Sequence, residues 1–369
     1  MKRLYKLKNL AWIGVTALVA FLFWMVIAGL IPKFRATQPD EQLYTIRHQD
    51  LRDNNPLYTN LLLNSIKAHG GYLVLGTSES NARTKGNYYD FLNADTALNC
   101  RFSVIAGAGR TACTYFPLIQ GNDNIKNVKV LYYINPSYWC GKLATGNLDY
   151  FHRYVSFTAY RKASQPGNQE VNNILKTNLE PVLWTEKLND PLEYWMDRIR
   201  RKYYQDLVFD LDSSKFYDGL NKVKRQDAYP SAASVAKPDS GRYQYVLNVA
   251  KSFDVHSYTL HPHPEEAYRY DELRTMIRLC KERGVDIVFI VGPYNHVAFA
   301  QVQPEDLPKI RQIPVNILRL LEEEGAEYID CSDLSTEPGM FEDWQHHTSY
   351  GATFIYQKIR DYVLEKENR

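Results

Sequence analysis

Five short apolar runs do most to limit what this chain can fold into. They are Tyr72–Leu75, Phe102–Ile105, Val128–Ile134, Val285–Val291 and Tyr328–Cys331. Their largely continuous apolar character reads as strands buried on both faces rather than strands with one wet face. Each run stops at a loop of small or polar residues: GTSES, AGAGRT, NPSYW, GPYN and SDLS. Helical patterns separate the last three. Glu265–Arg283 sets Tyr270, Leu273, Met276, Ile277 and Cys280 on one face, and Gly284 follows as a C-terminal cap. Residues 315–323 repeat the pattern before the last run. Strands alternating with helices predict an α/β fold, a three-layer α/β/α sandwich around a parallel five-stranded sheet of flavodoxin-like type. In such sheets ligands gather at the carboxyl ends of the strands. All five small-residue loops lie at those ends.

That placement gives the GTSES loop a chemical meaning. Ser78 stands just past the first strand, two residues beyond Gly76. A serine hydroxyl is a weak nucleophile until a base takes its proton. The segment FEDWQHHTSYG, residues 341–351, offers one. Asp343 and His346 are three residues apart, so the carboxylate can orient the imidazole and leave its other nitrogen for Ser78. Order along the chain is irrelevant to such geometry. Acyl transfer also needs donors for an oxyanion. The backbone amide of Ser78, the Gly107-Ala108-Gly109 loop with Gly109 in particular, and the side-chain amide of Asn135 are the candidates. The alternatives are plain ones: a turn serine, an Asp343 that only caps a helix, glycines that only let loops pack, and an Asn135 that only begins a turn before Pro136. His347 is expected to point away from His346. His261 and His263 sit in a proline-rich loop and read as solvated, so no metal and no cofactor are expected.

Residues 11–31, AWIGVTALVAFLFWMVIAGLI, hold no charge. About 20 such residues cross the ~30 Å hydrocarbon core as a helix. Lys2, Arg3, Lys6 and Lys8 precede the run, and the first acidic residue is Asp40. The positive-inside rule therefore places a cytoplasmic tail at 1–10, a single-pass anchor at 11–31 and the rest outside the cell membrane. A cleaved signal peptide would have a shorter apolar core, about 7–15 residues. Residues 32–70 read as a juxtamembrane helical stem that stops at Gly70-Gly71. Residues 71–140 and 265–369 form the α/β domain. Residues 141–264, rich in Tyr, Asn, Lys and Asp, read as a mostly helical insertion with a polar loop near Ser231–Ser240.

The chain carries 44 basic and 42 acidic residues. Without residues 1–35 the balance is 38 to 42, which excludes a nucleic-acid binder needing a basic stripe. The five cysteines, Cys100, Cys113, Cys140, Cys280 and Cys331, lack zinc-pair spacing and read mostly as buried thiols.

These motifs resemble those of the SGNH (GDSL-like) hydrolase superfamily. Gly76-Thr77-Ser78 stands where that superfamily has its Gly-Asp-Ser nucleophile block, Gly109 is similar to its second-block glycine, and Asp343-x-x-His346 to its last block. Within the superfamily the chain is most similar to the DltD family of teichoic acid D-alanylation. Gly76-Thr77-Ser78-Glu79 resembles that family's Gly-Ser-Ser-Glu turn, Gly107–Gly109 its Gly-x-Gly loop, and Asn135-Pro136-Ser137-Tyr138-Trp139 its Ser-Pro-x-Trp segment. Val291-Gly292-Pro293-Tyr294-Asn295 resembles its Val-Pro-x-Asn segment, and Gly351 follows His346 at the family's spacing. The chain departs from it at His346-His347-Thr348-Ser349-Tyr350, where the family has a His-Leu-Gly-Trp run. The resemblance implies a membrane-anchored acyltransferase or esterase that acylates an envelope polymer, with D-alanyl or acetyl groups, through an acyl-serine. It implies a membrane-bound O-acyltransferase, a carrier-linked acyl donor and a polymer acceptor as partners. The alternative is a non-catalytic adaptor that binds the acyltransferase and the polymer.

Overall fold

The computed structural model describes residues 2–30, 56–80, 86–107, 110–139, 231–238 and 268–367. The chain divides into two units, one of residues 1–35 and 184–218 and one of the remainder. In the first unit the described part is helix α1, Lys2–Leu30. Its side chains are described over residues 9–23, and all of them are exposed. Among the described residues no helix is long and apolar enough to cross a membrane.

The second unit is built on the expected sheet. Helix α2 (Pro56–His69) ends at Gly70 and Gly71, both at positive φ, 75° and 141°. Strand β1 (Gly71–Gly76) follows, then α3 (Tyr88–Ala94), β2 (Arg101–Ala106), α4 (Ala112–Gly121) and β3 (Lys129–Ile134). After the segment 231–238 come α5 (Tyr268–Arg283), β4 (Asp286–Val291), α6 (His296–Val302), α7 (Leu307–Glu323), β5 (Glu327–Asp330) and α8 (Ser349–Glu367). All four strand pairings are parallel, in the order β2-β1-β3-β4-β5. The direction of the chain reverses across the sheet beside β1, between β2 and β3, which opens a crevice at the carboxyl end of β1.

Strand side chains alternate between two cores, as the pleat requires. Leu73, Leu75, Val130, Tyr132, Phe289 and Val291 face a layer made of α2, α4, α5, α6 and α7. Tyr72, Val74, Leu131, Tyr133, Val288 and Ile290 face α3 and α8. The result is three layers. Helix α5 buries Tyr270, Leu273, Met276, Ile277 and Cys280, the face set by its helical spacing. It closes on Gly284 at φ 64°, where Val285 N–H reaches the Cys280 carbonyl at 2.9 Å.

Two segments of the expected layout also pack against the sheet unit. The end of the expected stem is part of the sheet's helical layer, because α2 buries Leu62, Leu63 and Ile66 against β1 and its neighbours. The loop near Ser231–Ser240 contributes Ala232 and Val235 to the packing on the α3–α8 side. The remainder of the insertion, residues 32–55, Ala108, Gly109, Cys140, His261 and His263 lie outside the described residues. Cys100, Cys280 and Cys331 are buried free thiols.

Candidate active site

Strand β1 must end on a residue without a side chain. A Cβ on Gly76 would stand 2.6 Å from Ser80 Oγ and 3.1 Å from Tyr133 Cβ. The Tyr115 hydroxyl accepts the Gly76 N–H at 3.1 Å and donates to the Gly76 carbonyl, so the strand's last peptide is held from α4. The chain then turns sharply. Ser80 N–H bonds the Thr77 carbonyl at 3.2 Å, and Ser78–Ser80 make one 3-10 turn. This turn buries Thr77, Glu79 and Ser80 and leaves Ser78 half-buried.

The facing segment is a narrow loop closed by its own backbone. Phe341 bridges His347 in antiparallel fashion, Glu342 N–H donates to the His346 carbonyl at 2.7 Å, and Thr348 N–H to the Met340 carbonyl at 2.9 Å. Asn295, just past β4, ties the loop to the sheet. Its Nδ2 donates to the Asp343 carbonyl at 2.9 Å, and its Oδ1 caps α6 at the Ala298 N–H, also 2.9 Å. Inside the loop Asp343 Oδ1 accepts the N–H groups of Gln345 (2.8 Å) and His346 (2.7 Å). Its Oδ2 lies 2.6 Å from His346 Nδ1. Asp343 therefore caps no helix: α8 begins at Ser349.

With Nδ1–H committed to a carboxylate, the lone pair of His346 Nε2 is left to accept a proton. Ser78 Oγ sits 2.8 Å from it. The three side chains line up as hydroxyl, imidazole and carboxylate, each within hydrogen-bond reach of the next, the arrangement that activates a serine. The electrostatics agree. Burial alone would raise Asp343, but the hydrogen bond and charge of His346 with two backbone donors outweigh it and leave its pKa lowered. Burial alone would lower His346, but its hydrogen bond to Asp343 and the charges of Glu79, Asp343 and Glu342 leave it raised.

The other expected site residues divide. Asn135, at the carboxyl end of β3, is buried beside the serine turn. Its Nδ2 donates to Glu79 Oε1 and, at 3.4 Å, to Gln345 Oε1. Gly109 lies outside the described residues. His347 turns away from Ser78. Its Nε2 is 3.1 Å from Asn87 Oδ1, its ring packs beside Tyr88 and Tyr133, and burial drives its pKa down to about 3. Among the described residues no cluster of His, Cys, Asp or Glu could hold a metal ion.

Two residues were missed from sequence. Glu79 was read only as part of the turn, yet the residue is 2% exposed. Burial pushes its pKa up to about 7, against the charge of His346. Gln345 carries no motif at all. A carboxylate almost immediately after an apolar strand was the one available signal. Beside the triad, a narrow cleft is lined by Thr77, Asn135, Arg110, Trp139 and the Arg269–Glu272 pair. That ion pair is buried and bidentate, at 2.9 and 3.0 Å.

Residues 245–364 match the DltD protein family. The matched span holds Asp343 and His346 and stops short of Ser78, which the sheet brings to them from β1. No curated protein matches the chain.

Proposed function

We propose that this DltD-like chain is a membrane-anchored serine acyltransferase of the SGNH type that serves teichoic acid D-alanylation outside the cell. The observation that carries the reading is the 2.8 Å approach of Ser78 Oγ to His346 Nε2, with Asp343 on the other imidazole nitrogen. As Ser78 Oγ attacks the carbonyl carbon of an activated acyl donor, His346 takes its proton. Asp343 stabilises the imidazolium that forms. Collapse of the tetrahedral intermediate breaks the bond to the leaving group, which receives the proton from His346, and the acyl group remains on Ser78. A polymer hydroxyl then gives its proton to His346 and attacks the acyl-serine, and Ser78 departs with the proton returned. Transfer prevails over hydrolysis where the acceptor fills the site and water is kept out.

The uncharged run 11–31 behind four basic residues supports an anchor with its N-terminus in the cytoplasm. A membrane-bound O-acyltransferase and a carrier-linked acyl donor fit that position as partners. The test is labelling of the full chain with a fluorophosphonate, compared with Ser78→Ala, alongside the D-alanine content of the polymer in cells. Labelling lost and D-alanylation abolished in the variant support the reading. A fully acylated polymer at normal levels of the Ser78→Ala protein would favour the adaptor.

A further inference from the structure

Glu79 follows the nucleophile directly, is almost completely buried, and has no part in the triad. Its carboxylate faces His346 and Asp343 from the 341–347 loop, Tyr133 from β3 and Tyr88 from α3. None of these offers it a cation other than the imidazolium. Its Oε2 is buried without a hydrogen-bond partner among the described residues. Its Oε1 accepts from Asn135 Nδ2. A buried carboxyl with one oxygen unsatisfied is costly, and its position against the nucleophile turn calls for a use.

The use is suggested by the second hydrogen of Asn135 Nδ2. It points to Gln345 Oε1 at 3.4 Å, while Gln345 Nε2 lies 3.3 Å from His346 Nε2. The Gln345 carboxamide thus makes two contacts beside Ser78: its carbonyl oxygen on an amide donor, and its nitrogen on the base. A bound acyl compound makes the same two, with its carbonyl oxygen on the oxyanion donor and its departing atom at the imidazole. The partners of Asn135 differ in strength. The Glu79 contact is buried and charge-assisted; the Gln345 contact is long, neutral and half-buried. Gln345 is the one that yields. We infer that Glu79 is the positioning residue of the oxyanion hole: it anchors the Asn135 carboxamide so that the hydrogen held by Gln345 is handed to the acyl carbonyl oxygen. The inference rests on the acyl-serine reading above.

The test uses the full chain in detergent with p-nitrophenyl acetate, counting reactive serines by the burst of nitrophenol. Glu79→Ala is expected to lose about 10- to 100-fold in kcat per reactive site with little change in KM, since the donor acts on the transition state. Asn135→Ala should lose a similar amount, and the double variant no more than either alone, because one residue acts through the other. Glu79→Gln keeps an acceptor for Asn135 and should recover at least tenfold over Glu79→Ala. It also removes a negative charge that raises the basicity of His346, so the acid limb of its kcat/KM profile should move to lower pH. A residue that served only the fold would change the number of reactive sites and neither the rate per site nor the pH limb. Normal kcat per site in Glu79→Ala, or additive losses in the double variant, overturns the inference and leaves the serine reading standing. An unchanged chain that gives neither a burst nor fluorophosphonate labelling overturns both.

Discussion

Ser78 Oγ and His346 Nε2 lie 2.8 Å apart across 268 residues of sequence. Residues that act as one unit do not lose activity additively. Ser78→Ala and His346→Ala should each reduce turnover by several orders of magnitude, and the double change should be no worse. Asp343→Asn should fall by about 10⁴-fold, because an amide can hold the imidazole in the wrong tautomer. Stopped-flow acylation with an activated ester measures all four. Losses that multiply would show that the three residues do not work together.

The buried histidines set the acid stability. His347 and His296 have folded pKa values lowered to about 3 and about 4, in both cases chiefly by burial. In the unfolded chain each would protonate near 6.5. Their contribution is fully present above that value and is lost as pH falls below it. Glu79 acts with the opposite sign: its folded pKa of about 7 favours the fold below its unfolded value, and this is lost as pH rises through 7. Two histidines outweigh one carboxyl, so melting temperature should fall between pH 6.5 and 4.5. His347→Gln keeps a donor for Asn87 and should flatten the histidine share of that slope by about half. An unchanged slope in the variant would mean that His347 is not held neutral in the fold.

Gly351 lies in the first turn of α8, where a Cβ would stand 2.2 Å from the Met340 carbonyl oxygen and 2.7 Å from its sulfur. The contact is with backbone and cannot be relieved by a rotamer change. Gly351→Ala should cost about 1–3 kcal/mol by overpacking. It should also displace the 341–347 loop, because Thr348 N–H is bonded to that same carbonyl. Thermal melts and rate per reactive serine should fall together. A variant as stable as the parent would show that the first turn can shift without cost.

Orientation in the membrane is checked by fusion. A reporter active only outside the cytoplasm, joined after Arg369, should be active. One that works only in the cytoplasm should be silent. The reverse result removes the proposed setting for envelope acylation.

What could be read from the sequence was local. The five strands fall within a residue or so of the apolar runs, since an unbroken apolar stretch has few other ways to be buried. Gly284 and Gly70 mark helix ends because positive φ is a property of single residues. The approach of Ser78 and His346 was legible because a parallel sheet gathers its loop ends on one side. The strand order was not, since pairing β1 with both β2 and β3 depends on contacts between distant segments. Nor was the burial of Glu79, whose carboxyl meets Asn135, Tyr88 and Tyr133 from other elements of the fold.

Ser78 stands just past the first strand of the sheet and His346 in a loop after the last. A ribosome therefore makes Ser78 long before His346. On the proposed reading, any partial chain that ends before residue 341 carries a serine without the imidazole that would take its proton. On that reading completion of the fold doubles as a safety catch: a nascent or damaged copy would be unable to capture acyl groups that it has no means of passing on.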